Sequence, residues 1–185
     1  GGRKVNLTWR PYMLDPNVPE EGVPYGEYMK AKFGGGPSDR FKAMRAALED
    51  AAPDAGINYR FDDIPMRPNT LNAHRLLRWA SGQGLGTEAA DALFKAIFDD
   101  LKDVGNRAVL ADIAAGIGMD KDLVLELLNG DNDRESVQEE IGYFQNLGVS
   151  GVPCFIYEGQ FAVQGAQPPE AHLQAIEKAA KLPET

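Results

Sequence analysis

The chain has 185 residues, 43% of them hydrophobic and 25% charged, and carries a formal charge of −9. Those values fit one soluble globular domain, or one domain carrying an insertion, with enough chain to bury a real core. The acidic balance, without a run of four Lys or Arg, argues against nucleic acid as a partner, and no apolar stretch approaches the ~20 residues of a bilayer span.

Val5, Leu7 and Trp9 alternate with polar neighbours over Lys4–Pro11, the period-two pattern of a strand with one buried face. Pro11 and Asp15-Pro16-Asn17 end it, and residues 15–24 read as a loop. Tyr25 to Phe33 reads as a short helix stopped by Gly34-Gly35-Gly36. Ser38 or Asp39 then caps a helix with Phe41, Met44, Ala47 and Leu48 on one face, closed by Pro53 and Gly56. Ile57 to Phe61 reads as a short extended piece, and Pro65 and Pro68 delimit a loop.

A run of helices follows. Asn69 or Thr70 caps the first, which carries Leu71, His74 and Leu77. Thr87 caps the second, with an expected core face of Ala90, Leu93, Phe94, Ile97, Phe98 and Leu101. Helices are also expected over 107–116 and 121–128, and from Asp133 to a C-terminal glycine stop at Gly148. Cys154–Tyr157 and Gln160–Val163, joined at Glu158-Gly159, read as a β-hairpin. Pro168-Pro169 suits the first turn of a terminal helix over about 171–180. Helices covering so few strands predict an α/β or α+β sandwich with a helical insertion.

Gly148-Val149-Ser150-Gly151-Val152-Pro153 is the most telling segment. Proline lacks an N–H and suits the first residue of a strand, so a plain trans strand start is one reading. X–Pro is also the common site of a cis bond, and a cis bond would turn the Val152 backbone outward to hold an extended peptide or a thiol-bearing ligand. Cys154 is the only cysteine, so the chain holds no internal disulfide, CxxC pair or cysteine-based zinc site. With only His74 and His172, a histidine metal site is not expected either. Asp131-Asn132-Asp133 lacks the glycine and distal glutamate of a calcium loop and reads as helix capping.

Five words in order carry a family resemblance: Trp9 to Pro16, Glu27 to Gly34, Asn69 to Arg75, Gly148 to Pro153, and Gly165 to Pro169. Together they resemble a thioredoxin-fold oxidoreductase of the DsbA family, in its FrnE-type branch. That branch is related to 2-hydroxychromene-2-carboxylate isomerases and kappa-class glutathione transferases. The resemblance implies an α/β, thioredoxin-like fold with a large all-helical insertion. Residues 1–24 and 148–185 would form the thioredoxin-like part, and 25–147 the insertion with its connecting helix. It also implies a cis Pro153, with Val152 presenting its backbone to substrate.

The family's first βα unit, which carries the CxxC motif at a helix N-terminus, has no counterpart in this chain: it is expected to precede Gly1, where no methionine stands, the alternative being a degenerate homologue. No catalytic residue is therefore expected within these residues, and the chain as it stands is expected to be inactive. The resemblance implies substrate binding by Val152, Pro153, Asn69, His74, Trp9, Tyr12 and Gln167. Core or surface packing remains the plainer reading of His74 and Trp9, and a buried core position that of Cys154.

Three functions stay open: a thiol–disulfide oxidoreductase, a glutathione-dependent isomerase or transferase, and a non-catalytic binding module. Ala166-Gln167 stands where glutathione-binding relatives have Ser-Asp, which favours the first. No metal or resident cofactor is expected beyond glutathione in the second reading. The expected partner is a thiol or disulfide on a peptide or small molecule, with no nucleic acid and no membrane, and a homodimer left open. Cysteine usage and the branch resemblance suggest a bacterial-type cytoplasm, unless a leader precedes Gly1.

Overall fold

The computed structural model describes residues 5–34, 38–53, 56, 60 and 63–181. They form β1 (Val23–Pro24), α1 (Tyr25–Lys32), α2 (Asp39–Ala51), β2 (Met66–Arg67), α3 (Leu71–Gly82), α4 (Gly86–Phe98), α5 (Arg107–Gly116), α6 (Lys121–Asn129), α7 (Arg134–Asn146), β3 (Cys154–Tyr157), β4 (Phe161–Gln164) and α8 (Pro169–Ala179). Two compact units divide the chain, Gly1–Gln138 and Glu139–Thr185, with the boundary inside α7.

Several helix starts follow from capping chemistry. Ser38 Oγ accepts from the Phe41 N–H, Asn106 from Ala108 and Val109, and Asp120 from Leu123, each satisfying amides that the first turn leaves without a partner. Pro169 occupies the first turn of α8, where its missing N–H costs nothing. Thr87 does not cap α4. The helix starts at Gly86, with Leu85 at its N-cap, and the Thr87 hydroxyl accepts from the Trp9 indole instead, at 3.4 Å.

The first unit is built around α3 to α6. Its core joins Ala73, Leu76, Leu77 and Ala80 of α3 to Ala89, Ala90 and Ala96 of α4, Leu110 and Ala114 of α5, and Val124 and Leu128 of α6. Alanines at these contacts let helix axes approach closely. The expected face of α4 holds at Ala90, Leu93 and Ile97, which lie in or against this core, but not at Phe94, which is 53% exposed.

The expected strand over residues 4–11 is not formed. Lys4 lies outside the described residues, and 5–11 join neither sheet. Alternation suits such a segment to a ladder, but a strand needs a partner's N–H and C=O groups. Pairing forms instead inside two predicted loops, where β1 and β2 make a two-residue antiparallel ladder, Val23 opposite Arg67 and Pro24 opposite Met66. Of the piece expected over 57–61, only Arg60 is described, and Gly35 and Gly36 also lie outside.

In the second unit β3 and β4 form the expected hairpin, with Cys154 opposite Gln164 and Tyr157 opposite Phe161. Its second strand begins one residue later than predicted. Glu158 and Gly159 take positive φ in the connecting loop, at 49° and 67°. Helix α8 covers the hairpin: the Phe155 ring centroid lies 4.6 Å from that of His172, and the Lys178 ammonium 4.2 Å from that of Phe161. Ala175 and Ala179 are buried.

Candidate functional site

In the second unit the chain leaves α7, turns at Gly148 with φ 89°, and reaches β3 through a cis Val152–Pro153 bond. Val152 is 50% exposed. The Pro153 carbonyl accepts from the Gly165 N–H at 2.8 Å, which ties the head of β3 to the corner after β4. Gly165 has φ 77°, a conformation that a side chain disfavours. At the same corner the Gln167 amide donates to the Gln164 carbonyl at 3.1 Å. Val152, Pro153 and Gln167 therefore belong to one corner of this unit, with the Gln167 side chain turned back to the hairpin.

Cys154, the first residue of β3, is a free, half-buried thiol. A chain with one thiol can form a mixed disulfide but cannot close one internally. Tyr157 and His172 add a contact that sequence reasoning did not reveal, the phenol oxygen lying 2.6 Å from Nδ1. Burial raises the Tyr157 pKa.

In the first unit the N-terminal end of α3 grips residues 12–18. His74 Nε2 lies 3.0 Å from the Tyr12 carbonyl, so that nitrogen carries the proton. Burial lowers the His74 pKa, and the Tyr12 carbonyl only partly offsets it. Asn69 donates to the Val18 carbonyl at 2.7 Å and accepts from the Leu71 N–H at 3.0 Å. Trp9 stands apart from these, bonded to Thr87, with its ring edge-on to Phe94 at 6.2 Å and packed on the core. Tyr12, Asn69 and His74 are thus brought together, and the polar atoms of Asn69 and His74 Nε2 already have partners within the chain.

Two polar networks were not foreseen. Asp15 accepts from the Tyr28 hydroxyl at 2.7 Å and from Arg67, with the Lys32 ammonium at 3.4 Å. Burial pushes the Asp15 carboxyl up, but the bonds from Tyr28 and Arg67, with the charges of Arg67 and Lys32, carry it below its ordinary value. Arg75, fully buried, spends its guanidinium on the α6–α7 connection. A sequence signal for Arg75 existed: a cation lying between the apolar positions Leu71, Leu76 and Leu77 of one helix. The Asp131-Asn132-Asp133 segment leads into α7, and the Asp133 carboxylate accepts from Trp79 at 2.8 Å and Arg78 at 3.2 Å. Among the described residues no group of three His, Cys, Asp or Glu side chains is placed to hold a metal, and no helix is long and apolar enough to cross a membrane.

A mixed α/β chain, with a proline-headed hairpin backed by a terminal helix and joined to a helical unit, defines a class of thioredoxin-like proteins. Residues 2–177 match the model of the DSBA-like thioredoxin domain, and the chain belongs to that family. It is similar to a probable DsbA oxidoreductase from Streptomyces coelicolor, with a TM-score of 0.81, 28% identity, and coverage of 95% of this chain and 76% of that one. It is also 20% identical over 176 residues to the uncharacterized protein YwbO of Bacillus subtilis (strain 168), covering 95% of this chain and 82% of the relative. These matches support an oxidoreductase of the thiol–disulfide family.

Proposed function

We propose that the protein catalyses thiol–disulfide exchange, with the corner at Val152-Pro153 holding an extended stretch of substrate. The observation that carries this reading is the half-exposed Val152 heading the hairpin in a chain that matches the family over residues 2–177. Backbone groups at such a corner can pair with an extended peptide irrespective of its sequence. Residues 1–24 and 148–185 form the thioredoxin-like part in this reading, and 25–147 the helical insertion.

The reactive pair is a CxxC motif on a segment preceding Gly1. One thiolate attacks a substrate sulfur, forming a mixed disulfide and releasing the other substrate sulfur as a thiolate. The second cysteine thiolate then displaces the substrate, leaving the enzyme oxidised and the substrate reduced by two electrons. Run in reverse, the same steps oxidise a dithiol. The internal use of Asn69 favours this reading over a glutathione-dependent isomerase or transferase, which would call on that amide.

Insulin-disulfide reduction by the gene-encoded chain tests it. Turnover above a thiol blank, abolished when the cysteines preceding Gly1 are replaced by serine, is the expected result. Turnover no faster than the blank would sink the reading.

A further inference from the structure

Helix α2 carries a feature that the proposed chemistry does not use. Phe41, Met44, Leu48 and Ala51 follow a three-four-three spacing, the a/d seam of a helix pair. Phe41 meets the Phe33 ring at 4.8 Å, but Met44 and Leu48 are 53% and 37% exposed. No other described helix or strand packs extensively on α2.

Apart from Asp39 in the first turn, the charges of α2 run against its own dipole. Lys42 and Arg45 lie in the N-terminal half, while Glu49 and Asp50 lie in the last turn, which holds no basic residue. Cations near the N-terminus and anions near the C-terminus are the unfavourable arrangement for a lone helix. The same arrangement is self-complementary when two copies run antiparallel.

We infer that α2 is a self-association surface whose occupant is α2 of a second copy of this chain, related by a two-fold axis. Antiparallel pairing centred near residue 46 sets Met44 against Leu48 of the second copy and Phe41 against Ala51. It also sets Lys42 against Asp50. The existing contacts within the helix, Lys42 with Asp39 at 3.5 Å and Arg45 with Glu49 at 2.8 Å, are exposed pairs of small worth and do not oppose this. Thirteen residues offer about 20 Å of seam, so the complex is weak and concentration-dependent.

Sedimentation over about 5–200 µM brackets the micromolar range of such a complex. The expected result is a monomer–dimer equilibrium. Leu48→Glu should raise its dissociation constant at least about tenfold, with unchanged far-ultraviolet circular dichroism. Two charge variants keep the test open if Leu48→Glu fails to fold: Lys42→Glu with Arg45→Glu, and Glu49→Lys with Asp50→Lys. Each alone should dimerise more weakly than the parent, and their mixture should recover dimer. A monomer at every concentration, a dimer indifferent to Leu48→Glu, or a mixture no tighter than its components would overturn the proposal.

Discussion

Arg75 ends a helix to which it does not belong: from α3 its guanidinium donates at 2.6 Å to the carbonyl of Leu127, in the last turn of α6. Further bonds run to the carbonyls of Leu128, Gly130 and Asn132 and to the Asn72 side chain. The Trp79 ring centroid lies 5.2 Å from the guanidinium carbon. The last carbonyls of a helix lack intrahelical partners, and here one buried cation serves several of them.

Arg75→Met should therefore be severe. It leaves four carbonyls without their donor, at a cost of about 3–5 kcal/mol. Arg75→Lys should recover little, because an ammonium cannot reproduce the planar fork of donors. Urea unfolding followed by tryptophan fluorescence measures both, and a Lys variant as stable as the parent would refute the account.

His74 sets a pH dependence. Burial holds its folded pKa below the ordinary value, so on acidification the unfolded chain takes up a proton before the folded one does. Stability from His74 is complete above about pH 6.5 and declines as pH falls below it. Its contribution to the fall between pH 7.5 and 5.5 should disappear in His74→Gln. Melting temperatures at the two pH values, compared between parent and variant, decide the matter.

Asp15 acts at lower pH. Its folded pKa is depressed, so its contribution is present above the unfolded carboxylate value and is lost as pH falls below about 4. Asp15→Asn should destabilise by about 1–3 kcal/mol at pH 7 and reduce the acid sensitivity. The gap between parent and variant should narrow progressively as pH falls below about 4 in denaturant titrations.

Cys154→Ser should leave disulfide exchange by the full-length protein within about twofold of the parent, because a half-buried thiol at a strand start has limited access to attack. A loss of turnover beyond tenfold would make Cys154 a participant.

Most helix bounds were legible because caps and glycine stops are local. Ser38, the stop after Asn146 and the hairpin at Glu158-Gly159 needed only a few neighbouring residues. The strand expected over residues 4–11 failed for the opposite reason, since pairing depends on a distant partner that alternation does not name. The same limit hid β1 with β2, whose pairing spans more than forty residues.

By itself the sequence determined the helical run, the proline-headed hairpin and the five words that resemble the DsbA family, because these lie in short-range spacing. Only the tertiary structure decided that Asn69 and His74 turn their polar atoms inward to the carbonyls of Val18 and Tyr12. It alone placed Arg75 beneath α6 and left Met44 and Leu48 uncovered on α2. Desolvating a polar group is costly without a partner, so which side chains become buried and bonded depends on what the rest of the fold brings beside them.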